Sequence, residues 1–65
     1  MVKPFRKLKA LRVEYGYQQK ELAQKLGISL PTYSFKENGK SEFTLSEAFM
    51  IARLFKKPLE EIFQR

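Results

Sequence analysis

The side chains that could do chemistry in this 65-residue chain are thirteen Lys and Arg and seven carboxylates, all Glu, with no His, Cys or Asp. The chain therefore lacks an imidazole base, a thiol nucleophile, a disulfide and the usual zinc ligands, and a Cys-free composition suits a reducing cytoplasm or nucleus. The adjacent Glu60 and Glu61 are most simply the acidic first turn of a last helix. No Ser stands in a nucleophile setting. Neither an enzyme nor a cofactor, metal or small-molecule substrate is expected. What remains is electrostatics: the net charge of +6 either keeps the surface soluble or meets a polyanion such as nucleic acid.

The elements that position these charges are short. Residues 1–65 make a single domain near the lower limit for a self-sufficient core. Charges interrupt every apolar stretch well before the ~20 residues of a membrane span. The start, MVKPFRKLKALRV, is basic and amphipathic like a targeting peptide. It lacks an uninterrupted apolar centre, however, and reads as the first helix of the domain.

Phe5, Leu8, Leu11, Val13 and Tyr15 give that helix an apolar stripe, with Gly16 as its stop. A second helix is expected from about Gln18 to Lys25, with Leu22, Ala23 and Leu26 inward. Glu21 is its capping-box partner, and Gly27 ends it in a left-handed turn. Ser29 caps a third helix that tolerates Pro31 in its first turn and stops at Asn38-Gly39. TLSE, residues 44–47, opens a fourth helix whose expected stripe is Leu45, Ala48, Phe49, Ala52 and Phe55. Lys56-Lys57-Pro58 breaks it, and PLEEIFQR closes the chain with Leu59, Ile62 and Phe63 inward. No segment alternates with period two. The fold class is all-α, five helices around one core.

Ala23, Gly27 four residues on, and Tyr33 six beyond that have the spacing of two helices crossing steeply through a short link. This is a helix-turn-helix over about residues 18–38. On LKALR, GYQQKELAQKLGIS, ENGK and LEEIF, in that order, the chain resembles the Cro/C1-type, phage repressor-like helix-turn-helix family over nearly its whole length.

The resemblance implies a compact lambda-repressor-like domain and a transcriptional regulator that binds double-stranded DNA in the cytoplasm of a bacterium or phage-infected cell. The third helix would enter the major groove, about 12 Å wide. It also implies that Gln19, Asn38 and Lys40, with backbone amides near Gly39, meet phosphates and so fix register without reading bases. The plainer reading of Gln19 is a solvated first-turn residue, and Asn38 also suits a helix C-cap.

At about 100° per residue, Tyr33 and Glu37 share the inward side of the third helix. Leu30, Pro31, Ser34 and Phe35 fall on the outward side, with Thr32 and Lys36 at its flanks. The family commonly carries Gln, Arg, Ser or Asn there, so the apolar residues are a departure. Either they meet thymine methyls and groove walls, with Thr32 and Ser34 supplying hydrogen bonds. Or the face meets protein, as in an antitoxin-like or adaptor module.

Lys36 stands where the family has an aliphatic residue. Its stem would lie along the core edge with the charge reaching solvent or a phosphate; the alternative is a rotated helix in which Phe35 fills the space. Arg12 and Glu37 match a structural ion pair of the family and should lie within hydrogen-bonding distance. A homodimer through the fourth and fifth helices would use Met50, Phe55, Leu59 or Phe63, although the plainer reading of each one alone is core packing.

Overall fold

Each of the three middle helices starts where a side chain can accept a free first-turn amide. The computed structural model describes residues 3–64 and contains α1 (Arg6–Glu14), α2 (Gln19–Leu26), α3 (Leu30–Glu37), α4 (Leu45–Phe55) and α5 (Leu59–Ile62). At α2 the Gln18 N–H donates to the Glu21 carboxylate at 2.7 Å, which places Gln18 just outside the helix. Ser29 Oγ accepts the Thr32 N–H at the head of α3, 3.3 Å away. At α4 the capping box closes in both directions: Thr44 N–H to Glu47 Oε1 at 2.9 Å and Glu47 N–H to Thr44 Oγ1 at 3.1 Å.

The turn between α2 and α3 is set by Gly27, at φ +72, a left-handed conformation that side chains disfavour. Ile28 N–H then reaches back to the Ala23 carbonyl at 3.0 Å. Ala23 is only 2% exposed, and its single methyl lets α2 and α3 approach closely. The helix-turn-helix is thus built on the two small residues expected.

Phe5, Leu8, Leu11, Leu22, Ala23, Tyr33, Ile51, Phe55 and Ile62 make the core. An aromatic cluster closes one end of it, with Phe43 and Phe63 each about 5.5 Å from Phe5, at 5.6 and 5.5 Å between ring centres. Two expected stripes turn out differently. Val13 is exposed on α1, because Leu11 and the adjacent Arg12 occupy its inner side. Tyr15, just beyond the helix, is half exposed but sets its ring edge-on against Phe55 at 5.0 Å.

On α4, Leu45 and Phe49 point outward and Ile51 takes the inner place beside Ala52 and Phe55. Two helical stripes overlap at Ala48, Ala52 and Phe55, and their spacing alone does not choose between them. Glu47 does. It faces Lys36 of α3, which carries Ile51, one turn later, into the core and leaves Phe49 outside.

Candidate nucleic-acid interface

The sequence of α3 sorts its side chains by side, as the helical repeat requires. Tyr33 and Glu37 are buried, at 0% and 2% exposure. Leu30, Pro31, Thr32 and Phe35 are exposed, and Ser34 lies half-buried between the two sides. Phe35 is 54% exposed and Lys36 is largely covered. The rotated helix, with Phe35 filling the core, is therefore excluded.

Polar groups on this surface are held by one another. Ser29 Oγ donates to Thr32 Oγ1 at 2.8 Å, and Asn38 Nδ2 donates to Ser34 Oγ at 3.3 Å. The Lys40 ammonium stands 5.3 Å from the centre of the Phe35 ring, a distance at which cation and ring attract. The exposed ridge therefore carries an aromatic side chain with a positive charge on its flank.

Beneath the ridge, Arg12 and Glu37 form the expected ion pair. Arg12 Nε donates to Glu37 Oε2 at 3.0 Å and Nη2 donates to Oε1 at 3.2 Å. Nη1 donates to the Tyr17 carbonyl at 2.8 Å. Gln19 Nε2 donates to the same Glu37 carboxylate at 3.2 Å. Gln19 is thus half-buried and oriented rather than freely solvated, and one buried carboxylate binds α1 and the head of α2 to the tail of α3.

The Tyr33 hydroxyl is buried beside this group and has no hydrogen-bond partner among the described residues. Burial pushes its pKa well above the ordinary phenol value. The Glu37 carboxylate pushes the same way, and Arg12 opposes both.

Among known proteins, the helix-turn-helix family model matches residues 8–62 of this chain. This chain belongs to the helix-turn-helix family. It is similar to a protein of Archaeoglobus fulgidus described as an uncharacterised HTH-type transcriptional regulator, 39% identical over 57 residues, covering 88% of this chain and 81% of the relative. A protein of Methanocaldococcus jannaschii with the same description is 42% identical over 57 residues, 88% and 86% of the two chains. Both sources are archaeal, where the resemblance had implied bacteria or phage.

Within the helix-turn-helix frame, two features were not foreseen. The amides near Gly39 are not free for phosphates. Asn38 N–H bonds to the Ser34 carbonyl at 3.0 Å, Gly39 N–H to Lys36 at 3.1 Å and Lys40 N–H to Phe35 at 2.8 Å. These last two are the bonds of a Schellman motif with Gly39 as its left-handed residue, at φ +81. Asn38 serves as the C-cap.

The second feature is Lys36, whose charge goes to neither solvent nor phosphate. Its stem does follow the core edge, but Nζ meets Glu47 Oε1 at 2.6 Å. Partial burial pushes the Glu47 carboxyl up. The hydrogen bonds from Lys36 and Thr44 and the lysine charge outweigh it, holding the carboxyl below the ordinary carboxylate range. The signal for this pair was present in the sequence as a lysine at an aliphatic position and a glutamate eleven residues on. Only the packing angle between α3 and α4 joins them.

Proposed function

We propose that this helix-turn-helix protein, a DNA-binding transcriptional regulator, lays α3 in the major groove and reads A·T-rich sequence mainly by apolar contact. Leu30, Pro31 and Phe35 would meet thymine methyls and the groove wall, with hydrogen bonds from Thr32 and Ser34. Gln19, Asn38 and Lys40 would meet phosphates on either side of the helix. The observation that carries this reading is the exposure of Leu30 and Phe35 on a helix whose opposite side is fixed by Tyr33 and Glu37. A surface with net charge +6 favours a duplex over a protein surface as the thing that covers them.

No described helix is long and apolar enough to cross a membrane. A cytoplasmic site of action and the absence of an enzymatic activity belong to the same proposal. So does pairing of two copies through the region of α4 and α5. Phe55, 1% exposed, is withdrawn from that contact by burial; Leu45, Phe49 and Met50 remain outside on α4 and support it. Two copies so joined would place their α3 helices on half-sites of a two-fold operator.

The test is a titration on mixed-sequence DNA, followed by selection of sites from random DNA. Affinity is expected to fall at least about tenfold between ~50 and ~200 mM salt, as several phosphates exchange their counterions. Selected sites should be rich in thymine, and Phe35→Ala should flatten that preference. Negligible binding at low salt would favour an adaptor that meets protein through the same ridge.

A further inference from the structure

The segment before α1 is pressed against the far end of α3. Phe5 N–H donates to the Glu37 carbonyl at 2.9 Å, and the Phe5 ring is buried among Phe43 and Phe63. Lys3 and Pro4 run directly over Gly39. A methyl group placed there would overlap the Lys3 carbonyl, coming 2.7 Å from its carbon and 3.2 Å from the Pro4 nitrogen. Glycine is needed here twice, for its left-handed φ and for the missing side chain. Pro4 limits the freedom of the segment further by fixing its own backbone angle.

The result is a main chain clamped across the α3 exit with the Lys3 residue left exposed, next to the turn that carries Asn38 and Lys40. The amides of residues 38–40 are spent within the helix cap, so side chains there have to do the work of holding an anion. The nearby charges are Lys3 and Lys40, with Arg6 and Lys7 exposed on the first turn of α1. Glu42, further along the loop, opposes them. Positive charge still dominates this end.

We infer that Lys3 is a phosphate-binding residue that extends the DNA contact beyond the helix-turn-helix, beside Lys40. The main chain of Lys3 does the packing, and its side chain is free to reach the duplex backbone. Because a phosphate carries no base identity, Lys3 adds affinity equally on all sequences. This rests on the proposed DNA-binding function.

Lys3→Ala, Lys3→Arg and Lys25→Ala in the full chain separate the two. Lys25 removes the same charge from the opposite end of α2. With Lys3→Ala the slope of log affinity against log salt should become shallower by about 0.9. Affinity at ~50 mM salt should drop about three- to tenfold on cognate and unrelated duplexes alike, with an unchanged unfolding midpoint. Lys3→Arg should restore the native slope, and Lys25→Ala should leave it alone. A Lys3→Ala slope equal to the native one, or equal to that of Lys25→Ala, overturns the inference while leaving the proposed function standing. A native protein that binds DNA with no salt dependence removes both.

Discussion

Two neighbouring residues, Lys36 and Glu37, send their charges to different neighbours of α3, α4 and α1, and the two ion pairs they form are built on different terms. The inner pair is bidentate, and its members are 10% and 2% exposed at the side chain. The Glu37 carboxylate accepts three hydrogen bonds, and Arg12 donates a further one, from Nη1, to the Tyr17 carbonyl. The outer pair is one contact of 2.6 Å at the rim, with both side chains 12% exposed. Deep burial of a charge pair is tolerable only when its other donors and acceptors are met. At the rim, among the described residues, Glu47 accepts only from Lys36 and the Thr44 amide, and water keeps some access.

This contrast predicts unequal losses. The largest belongs to Glu37→Ala, which strands the Arg12 guanidinium in the core and should destabilise the fold by about 3–5 kcal/mol. A 65-residue chain has only about 3–10 kcal/mol in total, at the usual ~0.05–0.15 kcal/mol per residue. Urea denaturation should therefore show a protein close to unfolding. Replacing both partners, Arg12→Met with Glu37→Met, should recover most of the loss, since no charge is left alone. DNA affinity should not recover, because Gln19 loses the acceptor that orients it. If Glu37→Ala unfolds within about 1 kcal/mol of the native chain, burial is not what distinguishes the inner pair.

Glu47→Gln addresses the outer pair, where about 1 kcal/mol is expected, in the range of partly exposed ion pairs. Its dependence on pH is the sharper readout. The Glu47 carboxyl is lowered in the folded protein, so its stabilisation is fully present above the unfolded glutamate pKa of about 4.3. That contribution disappears as pH falls through the lower folded value. The native chain and the Gln variant should accordingly differ in unfolding free energy at neutral pH and converge below about pH 4. A constant gap from pH 7 to pH 3 would show that Glu47 acts through its shape alone.

The two pairs also differ in what the sequence could disclose. Arg12 and Glu37 lie 25 residues apart, and a family pattern was needed to bring them together; periodicity alone placed Glu37 inward but named no partner. The outer pair lies only eleven residues apart yet stayed hidden, because Lys36 had two reasonable destinations and a capping box already accounted for Glu47. The same blindness misplaced Leu45 and Phe49. Alanines at 48 and 52 fit either of two stripes, and the rotation of α4 is fixed by a contact with α3. Local signals such as Ser29, Gly27 and the TLSE box were legible because caps and left-handed turns depend on neighbours in the chain. The outward side of α3 was legible for the same reason, once Tyr33 and Glu37 were inward. The spent amides at Gly39 were not, since a Schellman cap and an open phosphate cradle share one sequence.

The smallest effect, and the finest probe of the inner pair, is Tyr33→Phe. The phenol hydroxyl is buried beside Glu37 with no hydrogen-bond partner at bonding geometry among the described residues, so removing it relieves a desolvated polar group. Stability at neutral pH should equal the native value or exceed it by up to ~1 kcal/mol, and DNA affinity should not change. At alkaline pH the two chains diverge in a defined direction. The unfolded tyrosine ionises near pH 10, whereas the folded one, with its pKa raised, keeps its proton. The native protein therefore loses stability above about pH 10 through this residue, and the Phe variant is spared that loss. Denaturation curves at neutral pH and near pH 10.5, with tyrosinate absorbance as a second signal, measure both. A loss of about 1.5–3 kcal/mol at neutral pH, the size of a hydrogen bond to a charged group, would mean that the hydroxyl donates to Glu37. The inner pair would then be a triad, with its strength shared among three side chains rather than two.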